Sequence, residues 1–208
     1  MLLIGQFDSP FVRRVGIALR IYGMAFEHSP FSVMGDGDKF AHLNPLKRVP
    51  TLVLDDGEVL IESGAILDYL DEAYDRDKAL IAASGPARRA ALKRIATATS
   101  VADKAVAYFY TRRFGGEVDP FFTQRSEAQI RDGMAALNAE CATRDDDWWH
   151  GDAPGHDDIA VAVVARFVSE AYGWLVSLAD YPALAAHSAR AEARAEFQAI
   201  QQEFIPPS

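Results

Sequence analysis

The sequence predicts a small α/β domain followed by an all-helical domain. Residues 1–78 alternate between short β-like runs and amphipathic helical patterns, and they contain a strong hairpin signal at Asp56-Gly57. The rest of the chain has little β pattern and is rich in alanine at helical spacing. We therefore expect a first domain at 1–78, a linker at 79–85 and a helical domain at 86–208.

The elements of the first domain follow from the spacing of its apolar residues. Leu2–Phe7 is typical of a buried strand, and an amphipathic helical pattern runs on from it. A second strand is expected near Phe26–Ser29, and "TLVLDDGEVLIE" at 51–62 predicts two strands joined by a turn. A last helix follows, with Ser63 as its predicted N-cap. The predicted order is β-α-β-(α)-β-β-α, with the first two strands parallel and the hairpin antiparallel.

Four alanine-rich helices are expected in the second domain, with a further short helix near the C-terminus. Their predicted ranges are 86–113, 123–143, 157–173 and 182–193. The chain has a single cysteine, Cys141, at helical spacing from Ile130, Met134 and Leu137. We expect it to pack inside a helix, and its isolation excludes an internal disulfide and favours a reducing cytoplasm.

Charge and composition exclude several classes of function. A formal net charge of −9 without a basic stripe argues against a nucleic-acid partner. The first apolar run is too short for a signal peptide or a membrane span, so no membrane association is expected. One cysteine and five dispersed histidines offer no ligand pair at metal spacing, so no metal is expected.

Ser9-Pro10 lies between the first predicted strand and the first helix. Serine at the N-cap followed by proline is what a helix start requires, so structure alone explains both residues. The same position is at the carboxyl end of a strand in an open α/β sheet, where such sheets bind ligands. There a serine hydroxyl beside a helix N-terminus can also hold an anion.

Two further stretches could carry binding. In "NPLKRVPTL" at 44–52, Pro50 opens a strand, and a cis Val49–Pro50 bond would leave the N–H and C=O of Val49 facing outward to pair with a peptide-like ligand. Glu62-Ser63 is explained by a strand end and a helix cap. The pair also suits the ammonium and carboxylate groups of an α-amino acid.

The combination and order of these stretches resembles the glutathione S-transferase superfamily. The stretches are "SPFVRRVGIAL", then "NPLKRVPTLVLDDGEVLIESGAILDYL", then "WWHGDAPGHDDIAVA" at 148–162 and "YPALAAHSARAEARAEFQAI" at 181–200. The resemblance covers nearly the whole chain. It implies a thioredoxin-like first domain, an all-α second domain, a cytoplasmic homodimer and glutathione as co-substrate.

The resemblance also implies residue roles. Ser9 matches the catalytic serine that donates to the glutathione thiolate, Val49 the residue that pairs with the cysteinyl unit, and Pro50 the cis-proline of the family. Glu62 and Ser63 match the pair that binds the γ-glutamyl end. The remaining candidates are Phe11 in packing, His42 and Arg48 near the glycine carboxylate, and Tyr108, Arg112 and Arg113 at a pocket for a small electrophile. A place in the core is the alternative explanation for Tyr108 and its neighbour Phe109, and it is the favoured one. Gly155 stands where the family commonly has the Ser or Thr of a capping box with Asp158, and glycine is an acceptable N-cap there.

Three functions remain open at this point. Conjugation of glutathione to small hydrophobic electrophiles is the first, with detoxification as its expected role. A glutathione-dependent isomerase of maleyl compounds is the second, although such proteins usually carry a longer Ser-Ser-Cys-type run where this chain has "DSPF". The third is a non-catalytic binding or regulatory protein of the same fold, a class that tends to lose the site pair.

Overall fold

A computed structural model describes residues 1–75, 78–115 and 119–204 of the chain. Contacts divide it into two units: Met1–Ala83 with the chain from Ala193 onward, and Ser84–Glu192. The strands are β1 (Leu2–Ile4), β2 (Glu27–Ser29), β3 (Thr51–Val53) and β4 (Val59–Ile61). The helices are α1 (Pro10–Ile21), α2 (Ser63–Tyr74), α3 (Gly85–Phe114), α4 (Pro120–Ala142), α5 (His156–Ala171), α6 (Pro182–Glu192) and α7 (Ala195–Gln198).

The first unit is built on a four-stranded sheet in the order β2-β1-β3-β4. β1 and β2 are parallel, and β3 pairs antiparallel with both β1 and β4, so the predicted strand directions are confirmed. Gly57 at the hairpin turn has a φ of 91°, a backbone conformation that glycine adopts without strain. The helix expected between β2 and β3 is a single 3-10 turn at Gly37–Lys39.

Helices α1 and α2 bury their apolar faces against this sheet. Fully buried members of the core include Leu3, Leu52, Val12, Val15, Ile66 and Leu70. The Tyr22 hydroxyl at the end of α1 donates to the Asp71 carboxylate of α2 and accepts from the backbone N–H of Leu80 at 2.9 Å. This bridge ties the two helices that begin at the candidate site.

The C-terminal segment, from Ala193 to the last described residue, Phe204, belongs to the first unit. Arg13 Nε donates to the carbonyl of Ile200 at 2.8 Å, and its Nη2 donates to that of Phe197 at 3.3 Å. The N–H of Phe7 also donates to Gln202 Oε1 at 3.0 Å. The sequence-based division placed these C-terminal residues in the helical domain. Their contacts lie with the sheet-containing unit instead.

The regular elements among the second unit's described residues are helices, in agreement with the sequence, and one isolated β-bridge joins Trp148 and Gly151 between α4 and α5. α4 starts at Pro120 rather than near 123, because the Asp119 carboxylate accepts from the N–H of Phe121 at 2.7 Å and caps the helix there. α5 is the buried helix of this unit, with Ile159, Val163 and Phe167 all at most 5 % exposed.

Cys141 lies inside the second unit, as its spacing predicted. It is a free cysteine, 5 % exposed, on the buried face of α4. Burial raises the pKa of its thiol to about 11, so the thiol stays protonated near neutral pH. A protonated, buried thiol is a poor nucleophile, which agrees with a packing role.

Two buried carboxylates, Asp157 and Asp158, lie in the first turn of α5. Gly155 is the N-cap, and its N–H donates to Asp158 Oδ2 at 3.0 Å. Asp157 accepts from Arg94 Nε at 2.8 Å and lies 2.9 Å from His150 Nε2. Burial raises the pKa of Asp158 to about 7, whereas His150 and Arg94 hold the pKa of Asp157 below its usual range.

Asp158 should therefore make the unfolding free energy depend on pH. Its pKa is higher in the folded state than in the unfolded chain, so its contribution is full below about pH 4 and is lost as pH rises through about 7. Each pH unit between those values costs about 1.4 kcal/mol. Asp158→Asn mimics the protonated carboxyl, and we expect wild type to lose stability relative to this variant from pH 5 to pH 8, measured by urea unfolding. A stability difference that stays constant over this range would contradict the pKa of Asp158.

Candidate active site

The connection from β1 to α1 brings the first two candidate stretches together. Gly5, directly after β1, has a φ of 128°. A Cβ at Gly5 would lie 2.5 Å from Val12 Cγ2 and 2.7 Å from Val49 Cβ, so only glycine fits there. The loop that carries Val49 consequently packs directly against the connection that leads to Ser9. Sequence reasoning missed Gly5, although a glycine at the end of a buried strand was a usable signal.

Ser9 is the N-cap residue of α1, as predicted, and Pro10 is the first residue of the helix. Its backbone C=O accepts from the N–H of Arg13 at 2.9 Å, while its side chain makes no capping hydrogen bond. The residue is half-buried. The Ser9 hydroxyl is therefore not used to cap the helix, and it lies at the positive end of the α1 dipole.

Val49 and Pro50 are joined by a cis peptide bond, as the resemblance implied. The backbone N–H and C=O of Val49 make no hydrogen bond to any other residue in the described ranges. Asn44 stabilises the loop with two hydrogen bonds. Its buried Nδ2 donates to the carbonyl of Arg48 at 2.9 Å and to Thr51 Oγ1 at 3.1 Å. The loop therefore presents a short stretch of backbone that can pair with an extended peptide.

The prediction that Ser63 is the N-cap of α2 is wrong. Glu62 occupies the cap position, and Ser63 is the first helical residue. The reason is the backbone of Glu62, which has a φ of 67° and turns the chain from β4 directly into the helix. A non-glycine residue in this left-handed region costs on the order of 1–3 kcal/mol, and such residues cluster at ligand sites.

The start of α2 lacks a side-chain cap. The Glu62 side chain makes no capping hydrogen bond, is about half exposed and lies 3.4 Å from Arg48 Nη1 through its Oε1. Ser63 is 4 % exposed, and its Oγ accepts from Arg14 Nη1 at 3.5 Å. The first-turn N–H groups of α2 are consequently available to an anion.

Three other candidates, Phe11, His42 and Arg48, belong to the first unit. Phe11 is half-buried in the first turn of α1, and Arg48 reaches Glu62 as described. His42 is exposed, and in the described part of the chain no hydrogen bond or ion pair joins it to Arg48 or Glu62. The geometry thus connects Arg48 with Glu62 and leaves His42 apart.

Tyr108, Arg112 and Arg113 lie near the end of α3 in the helical unit. Tyr108 is 4 % exposed, and its hydroxyl donates to Glu127 Oε1 at 2.7 Å. Burial, followed by the nearby Glu127 carboxylate, raises the pKa of Tyr108. Arg112 lies 4.7 Å from the centre of the Trp174 ring. These contacts agree with a core role for Tyr108, and a part in an electrophile pocket stays a prediction for all three residues.

Metal-ligand groups and membrane-spanning helices are both absent from the described residues. Across residues 1–75, 78–115 and 119–204, no group of three or more His, Cys, Asp or Glu side chains is arranged to hold a metal ion. None of the helices in those ranges has the length and apolar character needed to cross a membrane. The described site offers a hydroxyl, an unpaired stretch of backbone and a helix N-terminus.

Family models match both parts of the chain. Residues 3–78 match the glutathione S-transferase N-terminal domain, and residues 120–190 match the glutathione S-transferase C-terminal domain. Among curated relatives, a maleylacetoacetate isomerase from Pseudomonas aeruginosa is 31 % identical over 191 residues, which is 88 % of this chain and 86 % of the relative.

Solved structures similar to this chain are also glutathione S-transferases. A glutathione S-transferase from Methylobacterium radiotolerans, in complex with glutathione sulfonate, has a TM-score of 0.87 at 28 % identity, over 100 % of this chain and 98 % of that one. A glutathione S-transferase from Methylobacillus flagellatus with bound glutathione has a TM-score of 0.86 at 27 % identity, over 96 % and 98 % of the two chains. With its four-stranded N-terminal domain, its helical C-terminal domain and matches over both, the chain belongs to the glutathione S-transferase superfamily.

Proposed function

We propose that this protein is a glutathione transferase that joins the glutathione thiolate to small hydrophobic electrophiles. The observation that carries the proposal is the Ser9 hydroxyl, which lies at the N-terminus of α1 and makes no capping hydrogen bond. The family relationship and the glutathione-bound structures of similar proteins support glutathione as the co-substrate. In this proposal Ser9 stabilises the nucleophile and forms no covalent bond itself.

Glutathione would bind along the three stretches that carry Ser9, Val49-Pro50 and Glu62-Ser63. The unpaired N–H and C=O of Val49 suit the cysteinyl unit, which would add to the loop like a short antiparallel strand. The uncapped start of α2 suits the glutamyl carboxylate, with Glu62 placed for the ammonium group. Arg48, together with His42, would serve the glycine carboxylate.

The free energies involved are compatible with activation of the glutathione thiol by Ser9 and the α1 N-terminus. A free thiol with a pKa of about 8.5 is only a few per cent ionised at pH 7. Lowering the pKa by about two units requires roughly 2.7 kcal/mol of preferential thiolate stabilisation. A hydrogen bond to a charged acceptor contributes about 1.5–3 kcal/mol and a helix N-terminus up to about 2 kcal/mol. The thiolate would then donate its electron pair to the electrophilic carbon, forming a C–S bond as the leaving group departs with its own pair.

A glutathione-dependent isomerase of maleyl compounds is the second candidate. The Pseudomonas aeruginosa relative, named a maleylacetoacetate isomerase and matched over most of both chains, favours it. The short "DSPF" run in place of a Ser-Ser-Cys-type run favours conjugation instead. A regulatory role without catalysis is the third candidate, and the presence of Val49-Pro50 and Glu62-Ser63 argues against it. We further propose a cytoplasmic homodimer, as in the family.

We expect Ser9→Ala to lower kcat for conjugation of 1-chloro-2,4-dinitrobenzene at pH 6.5 by roughly ten- to a hundredfold. The loss corresponds to one hydrogen bond to a charged sulfur. The dissociation constant for glutathione should change by only a few fold, because binding rests on backbone groups and the α2 N-terminus. The matched control is Ser84→Ala, since Ser84 is also an N-cap serine without a capping hydrogen bond. Equal turnover of Ser9→Ala and wild type across pH 6–8 would refute the role of Ser9.

Thiol counting separates conjugation from isomerisation. Conjugation consumes one glutathione thiol per product, whereas isomerisation regenerates glutathione at each turnover. We expect the protein to consume thiol with a panel of aryl halides and to isomerise maleylacetoacetate with a lower kcat/KM. A higher kcat/KM for isomerisation, with thiol conserved, would establish the second candidate. Glutathione binding without turnover of any compound would establish the regulatory one.

A further inference from the structure

Gln202, near the C-terminus, reaches the connection between β1 and α1 with its side chain. Its Oε1 accepts from the backbone N–H of Phe7 at 3.0 Å, across 195 positions of sequence. This is the one hydrogen bond of the Gln202 side chain within the described residues. The neighbouring Gln201 is exposed and makes no side-chain hydrogen bond in the same ranges. One of two adjacent glutamines is thus bound to the loop that precedes Ser9.

The N–H that Gln202 binds belongs to a peptide unit that also holds Ser9. The carbonyl of Gln6 lies in the same planar unit as the N–H of Phe7, and it accepts from the N–H of Ser9 at 3.2 Å. The unit is trans, so its N–H and C=O point in opposite directions and the plane is fixed at both ends. Rotation of this plane would release the N–H of Ser9. Gln202 therefore acts on the backbone of Ser9 through one rigid unit.

The segment that carries Gln202 is anchored to α1. Arg13 Nε donates to the carbonyl of Ile200 at 2.8 Å, and the Ile200 side chain is 1 % exposed. A Cβ at Gly16 of α1 would lie 3.0 Å from Ile200 Cγ2 and 3.2 Å from Phe7 Cε1, so the packing here is close. Gln202 follows this anchor by two residues, which limits the positions that its side chain can occupy.

The rest of the β1–α1 connection is held by β2. His28 Nε2 lies 2.7 Å from the carbonyl of Gly5, and because a carbonyl only accepts, this nitrogen carries the proton and donates. The His28 ring also stacks on the Phe7 ring, with centroids 3.8 Å apart and an interplanar angle of 10°. These contacts hold Gly5 and the side chain of Phe7. The peptide unit before Phe7 is held by Gln202.

We propose that Gln202 is a positioning residue for the Ser9 hydroxyl that stabilises the thiolate. With Gln202 in place, the Gln6–Phe7 peptide unit binds the N–H of Ser9 and fixes the turn from which α1 starts. A catalytic hydrogen bond requires its donor to be held within about 0.5 Å of the productive geometry, and this turn sets the place of the donor. The inference rests on the proposed function, which supplies the role of Ser9, and it extends the support of the active site to the C-terminal segment.

The test follows the ionisation of the bound glutathione thiol, and kcat for 1-chloro-2,4-dinitrobenzene, from pH 5.5 to pH 8.5. Gln202→Met removes the acceptor oxygen and keeps an unbranched side chain, and Gln201→Met is the matched control. We expect Gln202→Met to raise the pH of half-ionisation by about half a unit to one unit. From a wild-type value about two units below 8.5, this shift lowers kcat about two- to fivefold at pH 6.5 and has almost no effect at pH 8.5. KM for glutathione should stay within about twofold of wild type, and Gln201→Met should match wild type throughout.

Coupling to Ser9 separates positioning from a general structural effect. In the Ser9→Ala background, Gln202→Met should change neither the ionisation of the bound thiol nor kcat, because the hydroxyl that Gln202 positions is gone. Ligand-free Gln202→Met should melt within about 4 °C of wild type, the shift expected for one half-buried hydrogen bond. If the methionine variant does not fold, Gln202→Ala carries the same expectations.

The outcomes against the proposal are distinct. A wild-type pH profile in the Gln202 variant, a loss of kcat that persists at pH 8.5, or an equal loss with and without the Ser9 hydroxyl would overturn the role of Gln202 and leave the proposed function intact. A wild-type protein whose bound thiol ionises as in free solution would instead refute the proposed role of Ser9 and, with it, the assignment of Gln202.

Discussion

The first turn of α1 is the feature on which the site depends. Ser9 ends the β1–α1 connection in extended backbone, and Pro10 starts the helix, so the hydroxyl lies at the positive end of the helix dipole without capping it. In the proposed function, a folding signal and a catalytic group coincide in this one residue. The serine directs the start of the helix through its backbone, and in the proposed function its hydroxyl binds the sulfur anion. In a reaction limited by thiol ionisation, that single hydrogen bond is comparable to the free energy required.

The surrounding residues divide into those that serve the fold and those left for a ligand. Gly5 allows the close approach of Val49, and Asn44 donates to Arg48 and Thr51 on either side of it, so these contacts position Val49. The backbone of Val49 remains unpaired within the described residues. Of the two adjacent arginines, Arg13 donates to the C-terminal segment and Arg14 donates to Ser63 at the start of α2. An extended peptide with a carboxylate and a thiol matches what is left.

Local sequence signals predicted the elements but not the long-range contacts. Asp56-Gly57 directs a hairpin and Ser9-Pro10 a helix start through the preferences of a few adjacent residues, and both were predicted correctly. The left-handed backbone of Glu62 was missed, because cap preferences favour serine and the turn out of β4 is imposed by the sheet. The return of the C-terminal segment to the first unit depends on contacts of Arg13 nearly two hundred positions away. Adjacent arginines look alike in a sequence, so the difference between Arg13 and Arg14 emerges only from packing.

The most direct measurement is a titration of the thiol of bound glutathione, followed through the ultraviolet absorbance of the thiolate. If Ser9 and the α1 N-terminus stabilise the anion as proposed, the bound thiol of the wild-type protein should be half-ionised about two pH units below the value for a free thiol, about 8.5. A bound thiol that ionises at the same pH as in free solution would contradict the catalytic role of Ser9 while leaving the fold as described.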